Sequence, residues 1–119
     1  MKIDESFCQE MFVIGDKIAK SVPEIAPEIR GMISIVQNPG MQLTETQIKH
    51  TLHEVMRICD ERRGYLSPIN TERLYHFFNK LSEKCNLGYR VSRIGWTTIC
   101  IGSDGSAISM KGLIDQLAV

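Results

Sequence analysis

The sequence predicts an α+β fold. About four N-terminal helices, including a central antiparallel helical hairpin, pack on a small C-terminal antiparallel sheet of three strands, and a short C-terminal helix follows. Apolar residues recur every third or fourth position before Gly88, as on one face of a helix. After Gly88 they recur every second position, as on one face of a strand. Asp104-Gly105, a strong signal for a two-residue hairpin turn, lies in this second part.

The first helix is predicted over residues 3–21, and Pro23 should stop it. Its apolar stripe has spacings of four and three: Ile3, Phe7, Met11, Ile14 and Ile18. Phe12 lies beside that stripe and widens the apolar face. Gly15 is expected to weaken the helix by about 1 kcal/mol relative to alanine.

A shorter second helix is opened by Pro27 and closed by Asn38-Pro39-Gly40. Its apolar stripe consists of Ile25, Ile29, Met32, Ile33 and Val36. Ile35 falls off that stripe, which leaves two interpretations open. It either belongs to a wide buried face, which we favour, or it contacts a partner.

The central hairpin extends from Thr44 to Cys85. Thr44 and Gln47 have the spacing of a capping box, and Gly64 suits the left-handed position after the last turn of the first helix. The stripe of that helix is Ile48, Leu52, Val55, Met56 and Cys59. The short link to the next helix favours antiparallel packing of the pair.

The second helix of the hairpin is capped either by Ser67, with a proline following it, or by Asn70. Asn86 or Gly88 should end it. Its stripe contains Leu74, Phe77, Phe78, Leu81 and Cys85, and the two phenylalanines are the expected hub of the core.

Three short strands are predicted from Tyr89, Val91, Ile99, Ile101, Ile108 and Met110. A two-residue turn at Asp104-Gly105 would pair Ile101 with Ile108 and Ile99 with Met110. A three-residue loop, residues 94–96, would pair Val91 with Ile99 and Tyr89 with Ile101. One face is then wholly apolar, and the other carries Arg90, Ser92, Thr98 and Cys100. Ser109 should cap the C-terminal helix.

Length and composition indicate a single globular domain, residues 1–119. Equal numbers of basic and acidic side chains, 14 of each, remove the main electrostatic argument for nucleic acid or an anionic membrane as the partner. We expect no signal peptide and no membrane span, because the N-terminus is charged and no apolar run approaches the ~20 residues needed. The four cysteines never form Cys-x-x-Cys, and Cys59 and Cys85 lie within apolar stripes, so we favour buried thiols in a cytoplasmic protein over a disulfide framework.

No catalytic set, cofactor or metal site is predicted. His50 and His53 are three residues apart, whereas a zinc-protease helix needs a spacing of four, and a solvated polar face is the favoured interpretation over a shared metal ion. Cys59 lies on the apolar stripe opposite these histidines, so no nucleophile and base can pair within that helix. Residues 102–106 join two strands, which makes them a turn rather than a phosphate loop.

These observations favour a small non-enzymatic protein-binding module, such as an adaptor, chaperone, inhibitor or regulator. Its partner is expected to be another protein, with a homodimer through the sheet edge or the first helix as one form. The candidate contact residues are Trp96, Arg90, Arg93, Ile35 and Phe12.

The alternative is a DNA-binding, winged-helix-like transcriptional regulator. It would use the second helix of the hairpin and the strands, with Lys80, Lys84, Arg90 and Arg93 along one edge.

Overall fold

A computed structural model describes residues 4–37, 40 and 42–118, and it confirms the α+β fold. The helices are α1 (Glu5–Ser21), α2 (Ala26–Ile33), α3 (Glu45–Glu61), α4 (Pro68–Lys84) and α5 (Met110–Leu117). Short 3-10 turns are formed by Pro23–Ile25, Ser34–Val36 and Arg63–Tyr65. The strands are β1 (Arg90–Ile94), β2 (Thr97–Ile101) and β3 (Ala107–Ile108). The roles predicted for Ile3 and Asn38-Pro39 fall outside the described residues.

The helix α1 is capped by Asp4, whose carboxylate accepts a hydrogen bond from the Phe7 amide at 2.8 Å. Gly15 lies where α1 packs against α2. A Cβ added to Gly15 would come within 2.5 Å of Cδ1 of Ile33. Gly15 therefore permits close approach of the two helices, a role that its helix propensity alone does not predict.

The central hairpin forms as predicted. The Thr44 hydroxyl accepts from the Gln47 amide at 3.1 Å, and the Gln47 side chain accepts from the Thr44 amide at 2.8 Å. The cap of α4 is Ser67 rather than Asn70, because the Ser67 hydroxyl accepts from the Asn70 amide. Phe77 and Phe78 are fully buried in the core.

The ends of these two helices differ from each other. The conformation predicted for Gly64 is wrong, because Gly64 has no positive φ and lies within a 3-10 turn that continues the chain from α3. Asn86 ends α4 in the left-handed region, with φ 54°. Its amide donates to Glu83, and the Leu87 amide donates back to Ser82 at 3.1 Å, which is the Schellman pattern.

The sheet has the strand order β1-β2-β3 and is antiparallel, but the predicted pairs are wrong because both strand registers are shifted by one residue. Val91 lies opposite Cys100 rather than Ile99, and Cys100 rather than Ile101 lies opposite Ile108. Turn length is the reason. Residues 95–96 form a two-residue turn with Gly95 at φ 60°, and residues 103–105 form a three-residue loop with Gly105 at φ 85°.

A shift of one residue exchanges the faces of a strand. The core face carries Tyr89, Val91, Cys100 and Ile108, and Thr98 lies on the same side, so the prediction that Cys100 and Thr98 point away from the core is wrong. Met110, predicted as a strand residue, is the first residue of α5. The outer sheet face, defined as the face opposite the core, carries Arg90, Ser92, Ile94, Ile99 and Ile101.

The helix α4 covers the outer edge of β1. The side-chain amide of Asn79 donates to the Val91 carbonyl at 2.6 Å and accepts from the Val91 amide at 2.8 Å. The Ser82 hydroxyl donates to the Tyr89 carbonyl at 2.8 Å. The β1 edge of the sheet is therefore closed at Tyr89 and Val91 by side chains of α4.

Candidate functional site

Trp96 stands at the tip of the hairpin between β1 and β2, with 89% of its surface exposed. The Arg93 guanidinium lies 5.4 Å from the centre of the indole ring. Arg93 Nε also donates to the Gly95 carbonyl at 3.0 Å, which ties the guanidinium to the turn itself. A cation over an indole face is attracted by the ring quadrupole. The turn therefore presents the tryptophan to solvent in an orientation that Arg93 helps to hold.

A groove of about 310 Å³ opens beside Trp96, where the end of α3, the start of α4, the hairpin and the start of α5 meet. We call it the Trp96 groove and define it by six of its lining residues: Asp60, Arg63, Leu66, Tyr75, Arg93 and Trp96. The Tyr75 hydroxyl and the hydroxyl of Thr98 on β2 lie 3.0 Å apart and share a hydrogen bond. This bond links the hairpin to α4, so two of the elements that line the groove are held together.

The charges of the groove are two arginines and one aspartate. Arg63 lies 3.5 Å from Asp60; the arginine side chain is largely in solvent, and the aspartate is partly exposed. Arg93 forms no ion pair with any residue in the described ranges. An exposed ion pair of this kind contributes little stability. With two arginines and one aspartate, the groove as a whole is cationic.

The groove offers hydrogen bonds and apolar surface rather than a reactive group. Burial raises the pKa of Tyr75, with the Thr98 hydrogen bond and the charge of Arg93 opposing that effect. Burial also raises the pKa of Cys59, another lining residue, to about 12. Both groups are therefore protonated near neutral pH, and a protonated thiol is a poor nucleophile.

The candidate contact residues do not form a single surface. Trp96 and Arg93 meet at the hairpin tip, whereas Arg90 lies at the other end of β1, on the outer sheet face. Phe12 lies on α1, 42% exposed, next to the similarly exposed Val13. Ile35 is partly buried against the core, as expected for a wide buried face.

Several residues of the site carry no recognisable sequence signal. Arg63, Tyr75 and Thr98 come from three separate elements that only the fold brings together. Ile94, predicted as the first residue of a three-residue loop, is instead the last residue of β1 and is 68% exposed.

On α3, the carboxylate nearest to the histidine pair already has a partner. Nδ1 of His53 lies 3.8 Å from a Glu54 oxygen, but Glu54 is itself engaged by the Arg57 guanidinium at 2.9 Å. That hydrogen bond holds the pKa of Glu54 below its ordinary value, with burial opposing it. Within the part of the chain that the structure describes, no group of three or more His, Cys, Asp or Glu side chains could hold a metal ion.

A wider depression, of about 860 Å³, follows the exposed side of α1. It is lined by Val13 and Ile14, by acidic residues of α1 and by His76 of α4. Glu10 lies 3.6 Å from His76 and 3.8 Å from Lys80, so its charge is already balanced. This depression is open and lacks an exposed anchor comparable with Trp96.

No protein-family model, curated protein or solved structure matches this chain. Of the helices within residues 4–37 and 42–118, none is both long and apolar enough to cross a bilayer.

Proposed function

We propose that this protein is a small, non-enzymatic binding module that recognises another protein through the Trp96 groove. The observation that carries this proposal is the exposed indole of Trp96 beside a concave, cationic surface. Interface hot spots are enriched in tryptophan, tyrosine and arginine, and all three line this groove. An aromatic side chain buries roughly 150–250 Å², which corresponds to about 4–6 kcal/mol of gross hydrophobic stabilisation on binding.

The surroundings of Trp96 support recognition by a preorganised surface. Arg93 is bonded to the turn, and Tyr75 and Thr98 connect the hairpin to α4. Asn79 fixes β1 on the same helix through two hydrogen bonds. A surface that is already ordered loses less conformational entropy on association, so more of the contact energy appears as affinity.

The proposal includes a cytoplasmic location and a role as adaptor, chaperone, inhibitor or regulator. A second copy of the chain is one form that the partner can take. A homodimer formed through the sheet edge or the first helix would use a surface separate from the Trp96 groove, and α4 side chains already occupy the β1 edge at Tyr89 and Val91.

The test is quantitative affinity purification of the tagged full chain from its native cells, followed by mass spectrometry. Trp96→Ala is the test variant, and Phe12→Ala, which removes the exposed aromatic residue of α1, is the matched control. We expect one defined protein with the wild type and with Phe12→Ala, and at least a roughly tenfold lower yield with Trp96→Ala. Equal recovery with Trp96→Ala would contradict the proposed site.

Nucleic acid binding remains a second candidate because Arg63 and Arg93 both line the groove beside an aromatic ring, as in surfaces that stack bases. The basic edge expected for a winged-helix-like regulator is smaller than its sequence suggests. Lys84 pairs with Asp4 at 2.9 Å, and Lys80 lies near Glu10. Binding to heparin that weakens steeply as salt is raised, and that is lost in an Arg90→Ala/Arg93→Ala double variant, would favour this candidate.

A further inference from the structure

Arg93 is the cation of the Trp96 groove that has no acidic partner. Its Nε donates to the Gly95 carbonyl, and within the described residues its two terminal nitrogens donate to no acceptor. A guanidinium has five N–H donors in a rigid planar fork, so four remain available. Because the guanidinium lies 5.4 Å from the centre of the Trp96 ring, its free donors lie beside the indole.

The other charges of the groove reinforce this preference. Arg63 adds a second positive charge, and Asp60 balances one of the two. The Asp60–Arg63 contact is long, at 3.5 Å, and solvent-exposed, so Arg63 can turn toward an incoming anion at little loss. The charge that complements this groove is therefore negative.

The apolar walls set the second requirement. Leu66 and Trp96 provide apolar surface on the groove, and Tyr75 and Thr98 place hydroxyl groups beside it. A ligand that carried only charge would leave the indole in water. A ligand that carried only apolar groups would cover Arg93 without pairing it, and an unpaired desolvated charge opposes binding.

We propose that the Trp96 groove binds a protein segment in which an aspartate or glutamate lies next to an aromatic or aliphatic residue. The carboxylate accepts two hydrogen bonds from the terminal nitrogens of Arg93, a geometry that matches the guanidinium fork. The neighbouring apolar side chain packs on Trp96 and Leu66. This inference rests on the proposed function and specifies the chemistry of its partner.

The probe is a display library of random heptapeptides, selected on the immobilised full chain, from which enriched peptides are synthesised. Affinities are measured for the wild type, Trp96→Ala, Arg93→Gln and the matched control Arg90→Gln, which removes the β1 arginine on the outer sheet face. Arg93→Lys retains the charge and removes the fork. Circular dichroism and urea unfolding verify that each variant is folded.

We expect enriched peptides to contain an acidic residue beside an apolar one. Their Kd should rise about tenfold with Arg93→Gln, rise less with Arg93→Lys and stay unchanged with Arg90→Gln. With Trp96→Ala, binding should be lost. Raising the sodium chloride concentration should weaken wild-type binding more than binding by Arg93→Gln.

Three results would overturn the inference, and they separate it from the proposed function. If the selected peptides lacked acidic residues, and if their binding depended on Trp96 but not on Arg93, the inference of an acidic partner would be wrong. The proposed binding function would be unaffected. Selection of no peptide whose binding depends on Trp96 would overturn both. If a fluorescein-labelled single-stranded oligonucleotide bound more tightly than the selected peptides, and if Arg93→Gln abolished that binding, the groove would be assigned to nucleic acid instead.

Discussion

Replacing Gly15 with alanine should destabilise this protein, although alanine is the better helix former. Gly15 is buried in α1 and faces Ile33 of α2. The new Cβ would lie 2.5 Å from Cδ1 and 2.7 Å from Cγ2 of Ile33. Carbon atoms in contact normally lie about 3.5–4.0 Å apart, so either the side chain or one helix must move.

Two opposing contributions set the magnitude. Helix propensity favours alanine by about 1 kcal/mol. Overpacking a well-filled interface destabilises by roughly 1–3 kcal/mol. The net expectation is a loss of up to about 2 kcal/mol in the free energy of unfolding.

Urea unfolding followed by circular dichroism measures this loss, with two further variants. Gly31→Ala is the matched control, because Gly31 is an exposed glycine of α2 whose added Cβ would meet no other part of the described chain within 4 Å. It should stabilise the protein by about 0.5–1 kcal/mol. Ile33→Val removes the Cδ1 atom and should partly rescue Gly15→Ala in a double-mutant cycle.

The reasoning would be refuted if Gly15→Ala and Gly31→Ala stabilised the protein equally. It would also be refuted if Ile33→Val and Gly15→Ala had strictly additive effects, since additivity means that the two side chains do not compete for space.

Three further predictions follow from single contacts. Asn79→Ala removes both hydrogen bonds to Val91 and should lower the free energy of unfolding, measured in urea, by roughly 1–3 kcal/mol. An unchanged free energy of unfolding would show that these hydrogen bonds do not stabilise β1. Because Arg57 lowers the pKa of Glu54 in the folded state, the stability that this carboxylate contributes is present above its ordinary pKa of about 4.3 and is lost as the pH falls through the lower folded value. Glu54→Gln should therefore flatten the decline in stability below about pH 4, and an unchanged acid limb in urea titrations would contradict the ion pair. Thiol labelling with Ellman's reagent at neutral pH should be slow in the folded protein and fast in urea at the three buried cysteines, which are Cys8, Cys59 and Cys100. Because Cys85 is half-buried, rapid labelling of more than one thiol in the folded state would contradict their burial.

Helix boundaries could be narrowed to one or two residues where their signals are local, although the sequence left Ser67 and Asn70, and Asn86 and Gly88, as alternatives for α4 and misplaced the stop of α3 at Gly64. The Thr44–Gln47 box, the Ser67-Pro68 start and the Asn86 stop each depend on hydrogen bonds between residues a few positions apart. Local hydrogen bonding of this kind leaves a short pattern in the chain. The fold class followed from these helices and from the change in periodicity at Gly88.

Strand register could not be predicted because the turn signals allow more than one loop length. Asp104-Gly105 fits a two-residue turn, but Gly105 instead closes a three-residue loop in which the Gly102 amide donates to the Ser106 carbonyl at 2.9 Å. The reverse holds at Gly95-Trp96, where a three-residue loop is predicted and a two-residue turn is observed. Contacts between distant residues, such as Asn79 with Val91, accompany the observed register and leave no local trace.

The site was accessible to sequence reasoning only in part. Trp96 and Arg93 are close in the chain, so their proximity in space could be anticipated. Arg63 and Tyr75 reach the same groove only because α3 and α4 pack antiparallel beside the hairpin. Ile94 is exposed because the observed register turns it to the outer sheet face.

The most direct test of the central claim uses the fluorescence of Trp96, which is the only tryptophan in the protein. In dilute purified protein, the emission should match that of a water-exposed indole, and acrylamide should quench it almost as efficiently as it quenches free N-acetyltryptophanamide. A binding peptide should shift the emission to shorter wavelength and protect it from acrylamide. Blue-shifted, quencher-protected emission from the free monomer would contradict an indole that is presented to a partner.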